Sequence, residues 1–218
     1  DGNDEDFLYL SLLEDTLGFE PVVVGMNQVS TADTADVDLI FFSETVGSGS
    51  IVNNFINPLT GGSSFGNVGL PVITPEVFIW DDMRWIKTGE GYDIDVAWGF
   101  AESDSVVSTG IAHPILAGLD AGAFDVYDDP PAGDGTNQTA YGVPKASADI
   151  VLEVSPQARF GGMPIAEFDE PRASLFTYEI GDTLQADTVT VVARGRRVGF
   201  FAHTRGGDNM NAAGRDLF

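Results

Sequence analysis

Cysteine is absent from this 218-residue chain, so disulfides, thiolate zinc sites and a cysteine nucleophile are all excluded. Basic residues are scarce. Ten Lys and Arg, only two of them lysines (Lys87 and Lys145), stand against 34 acidic residues, for a net charge of −24 and a pI near 4.1. Nucleic acids and anionic membrane surfaces bind through Lys and Arg that neutralise phosphate, so this balance argues against both as partners. No apolar run approaches the ~18 residues of a membrane-spanning helix, so membrane insertion is not expected. What is present is apolar and aromatic: 43% hydrophobic residues, among them 15 Phe and 3 Trp, enough for a substantial core and too many for a disordered acidic tail. A surface this acidic suits salty or extracellular surroundings, where ions screen self-repulsion, and the expected location is extracellular or cell-surface. Five of the ten basic residues, Arg194, Arg196, Arg197, Arg205 and Arg215, gather in the last 25 positions, where they offset nearby carboxylates.

The apolar pattern alternates between helical and extended periods. Residues 4–17 place Phe7, Leu8, Leu10, Leu12, Leu13 and Leu17 mostly along one helical stripe, with acids at the positive helix start and Gly18 as the stop. Val22, Val23 and Val24 read as a short buried strand, and Leu39, Ile40, Phe41 and Phe42 as a second. Uninterrupted apolar strands belong to sheets covered on both faces, usually parallel ones. A helix through Ile51, Val52, Phe55 and Ile56, a Gly/Ser loop over 61–66, a strand over 70–74 and a short helix over 76–83 continue the alternation, which points to βαβ units. Further on, residues 92–100 alternate loosely, His113-Pro114-Ile115-Leu116 is a short helical turn, and 127–142 is a Gly/Pro/Asp loop. Strands are expected at 148–154, 173–179, 189–193 and 197–202, the last two joined as a hairpin across Arg194-Gly195-Arg196.

The expected fold is therefore α/β, one domain over residues 1–218, with a mostly parallel sheet and a C-terminal antiparallel hairpin. A doubly wound domain opens on a central strand, whereas this chain enters a helix directly, and 211–218 reads as the first turns of a helix. Residues 1–218 are thus expected to be a segment of a longer polypeptide. An empty central position would expose unpaired backbone groups and invite a strand from another segment or a second copy.

Several short stretches carry a family resemblance. They are Leu17-Gly18-Phe19 after the leading helix, Asp38-Leu39-Ile40-Phe41-Phe42-Ser43-Glu44, and Leu70-Pro71-Val72-Ile73-Thr74-Pro75-Glu76. His113-Pro114-Ile115-Leu116-Ala117-Gly118-Leu119 and Arg196-Arg197-Val198-Gly199-Phe200-Phe201 complete the set. Together they resemble the class I glutamine amidotransferase-like superfamily, in particular its trehalose-utilisation (ThuA-like) branch. The resemblance implies a flavodoxin-like three-layer sandwich. It does not carry over the family's amidotransfer chemistry, because the nucleophilic cysteine has no counterpart here.

Open α/β sheets bind ligands beyond the carboxyl ends of their strands. Glu44, Glu76 and His203 fall at such ends and form the candidate catalytic set. Converged, two carboxylates and an imidazole could act as an acid–base pair or hold a divalent metal; apart, Glu44 and Glu76 would cap the following helices. Ser43, Trp80, Asp81 and Arg205 are the candidate ligand-binding residues. Ser43 precedes a helix but lacks the small flanking residues of a nucleophile elbow. Trp80, Trp85, Tyr92 and Trp98, near Asp81 and Asp82, could stack on sugar rings or pack into the core. Gly47-Ser48-Gly49-Ser50 lacks the Lys of a phosphate loop, and no acidic cluster, including Asp125/Asp128/Asp129, completes a calcium-loop spacing. Neither a metal nor a cofactor is expected. Asn137-Gln138-Thr139 has the form of a glycosylation acceptor in an exposed loop. Two functions compete: a non-catalytic structural, binding or assembly module of a larger extracellular protein, and a carbohydrate-related enzyme working through Glu44, Glu76 and His203.

Overall fold

The structure, a computed structural model, describes residues 4–25, 28, 34–47, 49, 69–87, 98–128, 138–155, 159–160, 163–164, 172–186, 190–203 and 209–218. The leading helix is present as α1 (Asp4–Ser11), which widens into a π-helical turn over Leu12–Thr16. Gly18 closes it at φ +74°, a conformation that costs a residue without Cβ little.

Three short strands run parallel side by side: β1 (Ile40–Phe41), β2 (Val72–Thr74) and β13 (Arg197–Gly199), in the order β1-β2-β13. Beyond β13 the sheet turns antiparallel. β10 (Ala173–Tyr178) pairs with β13 on one edge, and on the other with β7 (Asp149–Val154) and, at Ala173, with β6 (Gln138–Gly142). From β7 the sheet continues to β4 (Ser105–Ser108) and β5 (Ala123–Asp125). From β6 it continues to β3 (Trp98–Glu102) and the small pair β8 (Arg159–Phe160) and β9 (Met163–Pro164). The chain is thus α/β with a mixed sheet; where a mostly parallel sheet was expected, the parallel pairs among the described residues are those of β1, β2 and β13.

Alternation along the strands sorts the core onto two faces. Val72, Phe176 and Tyr178 join one apolar cluster, together with Val77, Ile79 and Trp80 of the short helix α2 (Val77–Trp80). Leu175, Val198 and Phe200 join the other, with Tyr9 of α1, Leu12, and Leu217 beyond the last helix α3 (Ala212–Asp216). Trp80 meets Phe176 edge-on at 5.0 Å, and Tyr9, Phe41 and Phe218 contact one another at 5.0–5.6 Å. Each such side chain buried contributes about 1.5–3 kcal/mol, so a sheet covered on both faces needs no disulfide.

Three expectations are corrected. Val22, Val23 and Val24 lie in no described strand, and Val22 and Val23 are exposed, because no described segment pairs with them. The C-terminal hairpin joins β11 (Thr183–Ala186) to β12 (Thr190–Val192) rather than β12 to β13; the parallel edge of β2 and the antiparallel edge of β10 take up both sides of β13. Residues 138–142, read as part of a loop, form β6 in the middle of the sheet, so Thr139 is fully buried with its hydroxyl bonded to the Ser103 carbonyl. The 51–56 helix and the 61–66 loop lie outside the described residues, as does Asn137. The His113 turn forms as expected: a 3₁₀ turn at Pro114–Leu116, whose first free amide, Ile115 N–H, donates to His113 Nδ1.

Candidate functional site

Because β1 and β2 are adjacent and parallel, their carboxyl ends deliver Ser43-Glu44 and Pro75-Glu76 to the same edge of the sheet. Glu76 is only 3% exposed. Its own N–H donates to Thr74 Oγ1 at 2.9 Å, and its carboxylate accepts from Phe78 N–H at 2.8 Å as the N-cap of α2. Burial pushes this carboxyl up to about 8; the Phe78 N–H opposes the shift, and the negative charge of Glu44 adds to it. Glu44 and Glu76 are therefore brought within electrostatic reach of each other, and one of them is also a cap. Of the capping expected for both carboxylates, the structure shows that of Glu76.

Ser43 is held from the side. Its hydroxyl donates to Asp6 Oδ1 and accepts from Thr45 N–H at 3.2 Å, while Thr45 Oγ1 donates to the same carboxylate at 3.0 and 3.1 Å. Asp6 of α1 thus pins the turn that presents Glu44. Sequence reading missed this role of Asp6, since 37 residues separate it from Ser43 and its place in the first helical turn already explained an acid there.

Trp80 is fully buried and donates from Nε1 to the Thr74 carbonyl at 3.1 Å, which turns its indole into the core rather than toward a ligand. Next to it, Asp81 is half-buried and accepts from Asp82 N–H at 2.8 Å. Burial raises the Asp81 carboxyl, against the bond from Asp82 N–H and the charge of Arg84. Burial and the neighbouring Asp81 push Asp82 up to about 6, with Arg84 opposing.

His203 does not stay with β2. After β13, Phe200 N–H still donates to the Thr74 carbonyl, but Ala140 N–H bonds the Phe201 carbonyl, and β14 (Ala202–His203) pairs with β6 at Thr139 and Gln138. The chain has crossed to the antiparallel side within two residues, so the backbone of His203 is registered on β6 while Glu44 and Glu76 sit at β1 and β2. The His203 side chain and all of Arg205 lie outside the described residues. Among the described residues no group of three or more His, Asp or Glu stands where it could hold a metal ion. No helix of the described residues is long and apolar enough to cross a membrane. No family model, curated protein or solved structure matches the chain.

Proposed function

We propose that this chain is a non-catalytic binding or assembly module of a larger extracellular protein, built on a flavodoxin-like three-layer plan with a degenerate amidotransferase-like rim. The observation that carries the reading is the engagement of the rim's polar side chains inside the fold: Glu76 caps α2, Ser43 is bonded to Asp6, and the Trp80 indole is bonded to Thr74. Side chains so engaged support the fold and leave little for a substrate. Helical residues in both apolar clusters support the three-layer plan, and the lopsided charge supports the extracellular setting.

One observation favours a second reading. A carboxyl that titrates near neutrality beside a second carboxylate is suited to general acid–base work, and Glu76 with Glu44 has that form. A carbohydrate-related enzyme would use this pair. The two readings separate in one experiment: thermal-shift titration of the chain with mono- and oligosaccharides, alongside hydrolysis of chromogenic aryl glycosides. The module reading expects neither stabilisation nor turnover. Turnover by the wild-type chain that disappears in Glu76→Gln overturns it.

A further inference from the structure

The N-terminal part of the chain carries an unusual combination of surface features. Most large apolar side chains that stand exposed in the described structure fall between residues 7 and 23: Phe7, Leu17, Phe19, Val22 and Val23, the two valines at 77% and 75% exposure. Val22, Val23 and Val24 are consecutive β-branched residues in neither helix nor strand, and their backbone groups have no hydrogen-bond partner among the described residues. β-branched side chains favour extended backbone, and an unpaired extended segment is a template for an added strand. Glu20 is exposed two residues before Val22, and Glu14 and Asp15 are exposed on the helical turn that precedes Gly18. No Lys, Arg or His precedes Arg84, whereas 14 acids do. A second copy of this surface would meet like charge with like charge, so the complementary occupant is apolar and basic.

From these observations we infer that residues 20–24, just beyond the helix cap at Gly18, form a docking strand for an extended segment of another polypeptide, one that alternates apolar residues with Lys or Arg. The incoming backbone pairs along one edge of Val22–Val24; its apolar side chains lie on the face that carries Val23, and its cations lie on the opposite face, which carries Glu20. The inference names the partner of the assembly reading above and rests on it.

The test is fluorescence anisotropy of labelled short peptides on the full chain. One peptide alternates Lys with Val, one Lys with Ser, and one Glu with Val. The Lys/Val peptide is expected to bind at least about tenfold more tightly than either other peptide, and to weaken as salt rises from ~0.1 to ~0.5 M. Val23→Pro removes an N–H and is expected to lower that affinity about tenfold; the double variant V22S/V23S, which leaves the backbone donors in place, keeps the test valid should the proline variant fold poorly, and is expected to weaken binding several-fold. Equal binding of the Lys/Ser peptide, or binding unchanged by these variants, would mean diffuse attraction to an acidic surface and overturns the inference. So does a concentration-dependent dimer abolished by Val23→Pro, since the occupant would then be a second copy. Failure here leaves the module reading to the glycoside and thermal-shift experiment, which does not involve these residues.

Discussion

Gly199 of β13 sits directly across from Phe176 of β10, and the Phe176 ring occupies the space a Cβ at Gly199 would need. This contact lies at the seam where the parallel strands give way to the antiparallel ones, and it lets the ring reach Trp80 of α2 edge-on. One missing methyl group thus joins the two parts of the sheet to the helix that begins at Glu76.

Gly199→Ala is accordingly expected to destabilise the chain by about 1–3 kcal/mol through overpacking. Phe176 cannot swing away without losing Trp80. Urea unfolding checks this, and the double variant G199A/F176L, which makes room for the methyl, is expected to recover part of the loss.

The buried carboxyl of Glu76 makes stability depend on pH with a definite sign. In the folded chain it holds its proton up to about 8, against an ordinary 4.5, so the folded state binds more protons than the unfolded one between those values. Stability from this group is complete below about 4.5, declines as pH rises, and is lost once pH passes about 8. The total is of the order of a few kcal/mol. Glu76→Gln retains an oxygen to accept from Phe78 N–H and is expected to flatten this decline and to be the more stable protein at pH about 9. Glu44→Gln is expected to flatten it only slightly, because burial rather than Glu44 dominates the shift. Urea midpoints for the three proteins at several pH values between about 4 and 9 decide the matter.

Asp6 ties α1 to the turn after β1 through Ser43 and Thr45. Asp6→Ala removes the acceptor the two hydroxyls share, leaving them only each other as acceptor at 3.1 Å, and is expected to cost about 1–2 kcal/mol. Faster amide hydrogen exchange across α1 and residues 43–46, with β10 unchanged, would locate the effect.

Tyr178 links two loops from the end of β10. Its hydroxyl donates to the Trp85 carbonyl and accepts from Lys145 N–H at 2.8 Å. Burial raises its phenol, so it stays a neutral donor across the accessible pH range. Tyr178→Phe is expected to destabilise by about 1–2 kcal/mol, since Lys145 N–H still has the Trp85 carbonyl at 3.3 Å. A lowered melting temperature with an unaltered far-UV spectrum is the expected readout.

Legibility in sequence followed the range of the interactions. The stretches that became α1, β1, β2, α2, β7, β10 and β13 were readable because each has a dense apolar period of its own, and the His113 turn because Pro114 restricts its neighbour. β6 was not readable: Gln138, Thr139 and Gly142 look like loop residues, and only the partners on β3, β10 and β14 make them a strand. Val22–Val24 shows the reverse, a strong strand propensity with no described neighbour to pair with. At the candidate site, adjacency of Glu44 and Glu76 followed from strand order, whereas Asp6 came from a helix far away in the chain.

Composition alone determined that this protein has no thiol chemistry, carries a strongly negative surface, and holds enough apolar mass for a sheet covered on both faces, because these depend on which atoms are present. Tertiary structure decided that the sheet is mixed, that Glu76 is buried near Glu44, and that the backbone of His203 is paired elsewhere. Strand pairing and burial depend on residues distant in the chain, and local periodicity carries no record of which strand a segment will meet.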